Sequence, residues 1–169
     1  KGWGPTGIDV TPMGEMRTRL AAMKSGELAG SVNSIQETFN LVEAGEGRLL
    51  ATFGDAVPHF HTHVIFAHRK LIADKPDLLR AFLRAWFKTA AYMRDNRAET
   101  VKFIAQTMKL PLSVIEASYD FEMGMMSFDG AFDPKAVEII RHSLKDLGIL
   151  ERLPEARELF LPGFAPVKL

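Results

Sequence analysis

Three histidines alternate with other residues in the stretch His59-Phe60-His61-Thr62-His63. Because alternate residues of a β-strand share a face, a strand here would place all three imidazoles on one side. Three imidazole nitrogens and an open position form a catalytic zinc arrangement in some enzymes. Same-face residues of one strand stand about 7 Å apart, so three cannot converge on one ion without a bend. Two interpretations stay open: a metal site, or a polar strand or hinge whose imidazoles form local hydrogen bonds.

A second candidate site is the loop Ser31-Val32-Asn33-Ser34-Ile35-Gln36-Glu37, which follows a weak predicted strand and opens a predicted helix. In open α/β sheets, ligands bind at the carboxyl ends of strands. A helix N-terminus also offers unpaired N–H groups that suit a carboxylate, sulfonate or phosphate. The structural alternative is a capping box, in which Ser34 caps the helix and Glu37 follows three residues later. The two interpretations are compatible.

The elements that position these residues alternate between strands and helices in the first part of the chain. The hydrophobic periodicity and the turn residues predict strands at 8–10, 28–32 and 48–53, and helices near 14–25 and over 35–44. Strands that alternate with helices of about ten residues are typical of a parallel sheet covered by helices. The sequence therefore predicts an α/β segment here.

Helices dominate after an extended segment predicted at 59–67. Pro76 is suited to a helix first turn, and that helix runs to about Asp95. Its predicted apolar face consists of Leu79, Leu83, Trp86, Ala90 and Met93. Two further helices are predicted on either side of Pro111, and Asp133 and Pro134 predict an N-cap and first turn for another, which Gly148 ends. The proline-containing tail from Pro154 is expected to wrap over a surface.

Composition excludes several classes of protein. The 169 residues contain 21 basic and 21 acidic side chains, so the balanced charge argues against dedicated nucleic-acid binding. The absence of cysteine excludes disulfides, a thiol nucleophile and Cys-bound metal centres. No apolar stretch approaches the roughly 20 residues that span a bilayer. The sequence also lacks the glycine-rich, nucleophile-elbow and His-Glu-x-x-His motifs of common enzyme classes.

The order of several segments resembles the periplasmic substrate-binding proteins for sulfonates, taurine, nitrate and thiamine-pyrimidine precursors. These segments are RLAAMKSGELAGS at 19–31, RLLATFGD at 48–55, THVIFA at 62–67, LIADKPDLLRAFLRA at 71–85, DP at 133–134 and LGIL at 147–150. The resemblance covers essentially the whole chain but only the carboxyl-terminal half of such a protein, and it implies that the amino-terminal lobe is missing.

The resemblance implies the carboxyl-terminal part of a two-lobed, type II periplasmic-binding-protein fold. In this fold, two α/β lobes close on a ligand between them. Residues 1–55 would form most of the second lobe as a βαβα segment, and residues 56–67 the hinge or crossover strand. Residues 68–169 would form a helical region that packs toward the first lobe.

The same resemblance implies a set of ligand-binding residues. By analogy, the ligand-facing positions are Ser31, Asn33, Ser34, Gln36 and Thr62, with His61 and His63 beside Thr62. The family often has small residues and no histidine cluster at the crossover, so the histidines are a departure that affects the expected ligand class.

The implied function is that of a non-catalytic, periplasmic substrate-binding component of an ABC importer, with no cofactor. Its partners would be a small polar or anionic organic solute and a membrane permease, and the truncated chain would tend to self-associate. The alternatives are a thiamine-precursor-type or metal-dependent enzyme that uses His59, His61 and His63, and a helical interaction module formed by residues 68–169.

Overall fold

The structure is a computed structural model that describes residues 7–169. The chain divides into two compact units, Lys1–Leu49 and Leu50–Leu169. Within the described residues, nine helices and no β-strand are present. No helix in the same range combines the length and the apolar character that crossing a membrane requires.

The first unit contains two nine-residue helices, α1 (Met16–Lys24) and α2 (Ile35–Glu43). They confirm the two helices predicted for this region. Gly26 ends α1 with a φ of 80°, a left-handed conformation that glycine adopts without a side-chain clash. Ala22 and Leu41, one on each helix, are the buried hydrophobic residues among residues 7–49.

The second unit contains the other helices. They are α3 (Phe53–Ala56), α4 (Arg69–Asp74), α5 (Pro76–Asp95), α6 (Arg97–Met108), α7 (Leu112–Met123), α8 (Pro134–Asp146) and α9 (Ala156–Leu159). The helix predicted from Pro76 to Asp95, the two predicted on either side of Pro111, and the one predicted from Pro134 are confirmed. Helices α4 to α9 all lie after residue 68.

The predicted strands are wrong for the described part of the chain. The segments 8–10, 28–32, 48–53 and 59–67 have no strand structure. An extended segment becomes a strand only when its backbone N–H and C=O groups bond to a neighbouring strand. Within residues 7–169, no backbone hydrogen bond joins two of these segments. The βαβα arrangement predicted for residues 1–55 is therefore not observed there.

The end of the predicted strand 48–53 forms part of the short helix α3 instead. The Thr52 hydroxyl accepts a hydrogen bond from the Asp55 backbone N–H (3.3 Å), and the Asp55 carboxylate accepts one from the Thr52 N–H (2.8 Å). These bonds form a reciprocal capping box and lower the pKa of Asp55. The Thr-x-x-Asp spacing carried this signal, whereas the sequence interpretation placed a strand over 48–53.

One core cluster of the second unit lies on α5. Leu79, Leu83 and Phe87 are buried at four-residue spacing, so they lie along one face of the helix. Partly buried hydrophobic residues pack against them, namely Ala67, Ile72, Phe164 and Val167. The prediction that Trp86 belongs to this face is wrong, because Trp86 is 47% exposed and its neighbour Phe87 is buried. One residue of offset rotates a helical side chain by about 100°.

The other cluster joins α6 to α7. Val101 and Ile115 are 2% and 1% exposed, and Tyr119 packs with them. The Tyr119 hydroxyl donates a hydrogen bond to the Met93 carbonyl at the end of α5. This bond ties the cluster to the neighbouring helix and satisfies the one polar group of a buried ring.

The carboxyl-terminal tail packs on α5, as predicted for a surface-wrapping segment. Arg80 donates a hydrogen bond to the Gly163 carbonyl (2.6 Å), and its guanidinium lies 4.5 Å from the centroid of the Phe164 ring. The Val167 N–H donates to the Asp129 carbonyl (2.7 Å). Phe164 and Val167 thereby become part of the α5 core.

The loop that receives the tail depends on a glycine. Gly130 has a φ of 76°, and a Cβ added there would lie 2.6 Å from Cζ of Phe87. The Ser127 hydroxyl accepts a hydrogen bond from the Gly130 N–H (2.9 Å), which fixes the turn. The chain can therefore pass this close to the buried phenylalanine only without a side chain at position 130.

Candidate functional site

The predicted ligand-binding residues fall into two groups, one in each unit. The first group consists of Ser31, Asn33 and Ser34 in the loop before α2 and Gln36 in the first turn of α2. The second group consists of His61, Thr62 and His63 in the segment between α3 and α4. Within each group, the hydrogen bonds show which polar atoms are already engaged inside the protein.

In the first group, Ser34 is the N-cap of α2. Its hydroxyl accepts a hydrogen bond from the Glu37 backbone N–H (3.4 Å), and its carbonyl accepts one from the Thr38 hydroxyl (2.9 Å). The predicted capping role of Ser34 is confirmed, and this bond is one of the two that a capping box needs. Glu37 adds a negative charge to the first turn, which interacts favourably with the positive end of the helix.

Ser31 and Asn33 form a pair on the half-buried side of the loop. The Ser31 hydroxyl donates a hydrogen bond to Oδ1 of Asn33 (2.9 Å). This bond leaves both N–H groups of the Asn33 amide for another acceptor. Gln36 is half-buried at the start of α2. The Asn33 amide therefore presents donors beside a helix N-terminus, a chemistry that suits a polar or anionic ligand.

The first unit also has a cleft that the sequence interpretation did not identify. It has a volume of about 280 Å³ and lies between α1 and α2. Its lining residues are Arg17, Leu20, Ala21, Lys24, Glu37, Asn40, Leu41 and Glu46. Lys24 and Glu46 form an ion pair across it (2.7 Å).

In the second group, His59 and His61 meet at Asp133, the N-cap of α8. Nδ1 of His59 lies 2.7 Å from Oδ2 of Asp133, and the Asp133 backbone N–H donates to Nε2 of His61 (3.1 Å). The other carboxylate oxygen of Asp133 accepts from the Lys135 N–H (2.9 Å). The His59 bond, followed by the Lys135 bond, lowers the pKa of Asp133. The carboxylate is therefore ionised at neutral pH and accepts hydrogen bonds only.

Aromatic side chains support the same corner. The His61 ring meets the Phe132 ring edge-on, with a centroid distance of 5.4 Å and an interplanar angle of 83°. Phe132 in turn stacks on Phe160, with a centroid distance of 4.7 Å. The ring contact and the Asp133 bond restrict His61 from two directions, so its orientation is set by the protein.

His63 faces different neighbours. Its Nδ1 lies 3.1 Å from the Thr62 hydroxyl. The Glu122 carboxyl is shielded enough from water to raise its pKa, and the nearby His63 counteracts this effect. His63 therefore lies near Glu122 of α7, whereas the other two histidines contact Asp133 at the start of α8.

The three histidines do not line up as a strand would place them. Among residues 7–169, no group of three or more His, Asp or Glu side chains is arranged to hold a metal ion. His59 and His61 form the local hydrogen bonds that the non-metal interpretation expects. The structural reason is the irregular backbone of 59–67, which sends His63 to another partner.

Sequence reasoning identified one role of Asp133, the N-cap of α8, but not its contacts with the histidines. The Asp-Pro step predicts its role as the N-cap of α8, and the structure confirms that role. Its contacts with His59 and His61 span 74 and 72 residues of sequence. Contacts over such distances leave no local pattern in a single sequence.

Comparison with known proteins gives one match. The family model described as NMT1/THI5 like matches residues 5–100, which is more than half of the 169 residues. The matched range includes the loop before α2 and the three histidines. No curated protein and no solved structure matches the chain significantly.

Proposed function

Because the chain belongs to the NMT1/THI5-like family, we propose that it is the substrate-binding component of an ABC importer. The family points to a solute-binding role. Import, delivery to a membrane permease and a periplasmic location are our proposal for this chain. The solute in this proposal is small and polar or anionic, of the sulfonate, nitrate, taurine or pyrimidine type.

The family match over residues 5–100 carries the proposal, because this range includes every predicted ligand-binding residue. In the proposed mechanism, the Asn33 amide and the N-terminus of α2 orient the solute in one lobe. The proposal also counts His61, Thr62 and His63, in the crossover segment 56–67, among the solute-binding residues. The proposal assigns residues 1–55 to the second lobe. It assigns residues 68–169 to helices that pack toward the first lobe.

Binding in this mechanism occurs by hinge closure and requires no covalent step or cofactor. A cleft that closes around a solute excludes water, which strengthens each hydrogen bond made inside it. Selectivity then depends on the number and direction of donors in the cleft.

Self-association through exposed apolar side chains, such as Phe66 at 90% exposure, is a further part of the proposal.

A thermal-shift screen tests the proposed function on the natural polypeptide that carries these 169 residues. The probes are methanesulfonate, taurine, nitrate, a hydroxymethylpyrimidine and zinc. One organic or oxyanion class is expected to raise the melting temperature by several degrees at saturation. Asn33→Ala is expected to reduce that shift, and Asn40→Ala, in the cleft between α1 and α2, is the matched control. The absence of any solute effect would contradict the proposal, and a shift with zinc alone would favour a metal role.

An enzymatic function is the second candidate, and the His59–Asp133 pair favours it. A carboxylate that orients an imidazole through Nδ1 is the arrangement that many general bases use. In this candidate function, a thiamine-precursor-type reaction would use Nε2 of His59 as the base. Incubation with the hydroxymethylpyrimidine, followed by mass spectrometry, separates the candidates: a product formed by the wild type and lost in His59→Ala indicates catalysis, whereas unchanged solute indicates binding alone.

A further inference from the structure

Asp133 uses its backbone N–H and both of its carboxylate oxygens for hydrogen bonds in the corner that holds the histidines. Its backbone N–H reaches Nε2 of His61, one carboxylate oxygen reaches Nδ1 of His59, and the other caps α8 at Lys135. One residue therefore determines both the start of a helix and the placement of two imidazoles. Neither the family match nor the sequence pattern assigns this role.

The hydrogen bond to His61 determines where the imidazole carries its proton. A backbone N–H can only donate, so Nε2 of His61 must offer a lone pair. The neutral ring then carries its hydrogen on Nδ1. Within residues 7–169, the structure shows no protein acceptor for this Nδ1–H. His61 therefore keeps a directed donor in a ring held by Asp133 and Phe132.

The bond to His59 places the hydrogen on the same ring nitrogen but engages that nitrogen inside the protein. The ionised Asp133 carboxylate only accepts, so Nδ1 of His59 carries a hydrogen, and Nε2 is the atom that remains outside the pair. The two histidines, two residues apart, thus have different nitrogen atoms engaged. Of these two histidines, His61 is the one whose Nδ1–H is not donated to Asp133.

We infer that Asp133 is a positioning residue of the solute site, which fixes His61 so that its Nδ1–H donates to an oxygen atom of the solute. This inference rests on the proposed function, because it assigns a ligand partner to a residue of the proposed site. The recognised chemistry is a hydrogen-bond-accepting oxygen, as in a sulfonate or carboxylate. A solute that presents only donors at this position would be rejected.

The placement of the proton is tested without any solute. Nitrogen-detected NMR of the histidine rings at neutral pH is expected to show His61 as the neutral Nδ1–H form. Asp133→Ala keeps the backbone N–H and the Nδ1–H form, although it removes the cap. Asp133→Pro removes the N–H as well, at a φ of −71° that proline tolerates, and is expected to lose the preference. A charged or Nε2–H ring in the wild type would overturn the inference.

The donor role is tested by calorimetric titration with methanesulfonate. His61→Gln keeps a side-chain acceptor near the position of Nε2 but lacks the Nδ1–H, so it should retain the melting temperature and bind about tenfold more weakly. His61→Asn places an amide N–H near Nδ1 and loses the acceptor, so it should lose stability and retain more of the binding. Equal binding by His61→Gln and the wild type would overturn the donor role.

The two experiments separate failure of the inference from failure of the proposed function. If wild-type protein binds none of the solutes, the proposed function fails and the donor role is overturned with it, whatever the NMR result. If the wild type binds methanesulfonate but His61 is not the Nδ1–H form, the proposed function stands and the positioning role of Asp133 is wrong.

Discussion

The two units of this protein differ in what holds their helices in place. Among residues 7–49, Ala22 and Leu41 are the buried hydrophobic residues. The hydrogen bond of the Ser34 cap is local, and the Lys24–Glu46 ion pair joins the end of α1 to the residues after α2. Residues 50–169 contain two core clusters and contacts between distant parts of the chain. The comparison indicates that stability in the first unit comes from helix ends and in the second unit from buried side chains.

Removal of a core side chain from the second unit is expected to have the largest effect. Ile115→Ala should lower the free energy of unfolding by about 3 kcal/mol, because Ile115 is 1% exposed and packs in the α6–α7 cluster. Leu41→Ala is the matched change in the first unit and should cost about 2 kcal/mol or less, since Leu41 belongs to neither core cluster and lines a cleft. Urea denaturation of both variants measures the difference. Equal losses in the free energy of unfolding would contradict the conclusion that buried side chains stabilise the second unit more than the first.

Gly130→Ala is expected to cost about 2 kcal/mol. The added Cβ meets the Phe87 ring, and alanine is strained at a φ of 76°. Gly124→Ala is the control, because Gly124 has a φ of −65° and its nearest contact would be an ordinary 3.5 Å. Thermal unfolding of the two variants tests the prediction. An equally small loss of stability in both variants would show that the loop moves away from Phe87.

Loss of the cap at α2 is expected to cost about 1 kcal/mol. Ser34→Ala removes the acceptor for the Glu37 N–H, whereas Ser34→Asp restores one and should recover most of the loss. Amide hydrogen exchange in α2 reports the local effect. Unchanged exchange in Ser34→Ala would mean that packing, and not the cap, holds the start of this helix.

The smallest expected effect depends on pH and concerns an exposed ion pair of the second unit. The Arg152 guanidinium, together with the Glu155 N–H, lowers the pKa of Glu158 from 4.5 to about 2. Because the pKa is lower in the folded state, the stabilisation is complete above about pH 4.5 and is lost as the pH falls toward 2. The difference in melting temperature between the wild type and Glu158→Gln should therefore shrink over this range. A difference that is constant with pH would contradict the assignment.

The helices were predictable because their signals are local. Pro76 and Asp133-Pro134 mark helix starts through backbone geometry and a side-chain cap, and both positions hold in the structure. The exchange of Trp86 for Phe87 in the core shows the limit of this approach, since both residues are large and apolar. Periodicity locates a helix more reliably than it determines which of two adjacent side chains is buried.

The strands and the histidine corner were less accessible to sequence reasoning because both depend on distant partners. The apolar segment 28–32 has the composition of a strand, yet a strand exists only in a hydrogen-bonded pair. The alternation of His59, His61 and His63 suggested one shared environment, but Asp133 engages two of them and Glu122 lies near the third. Neither partner is close in sequence.

The packing of the tail on α5 has a consequence for proteolysis. Phe164 and Val167 form part of the wall around the α5 core, and Arg80 and Asp129 hold the segment in place. A protease that cuts this segment removes core side chains as well as surface residues. Cleavage of the chain just before Phe164 is therefore expected to open the α5 core, so that a chain cut in this segment becomes a substrate for further degradation.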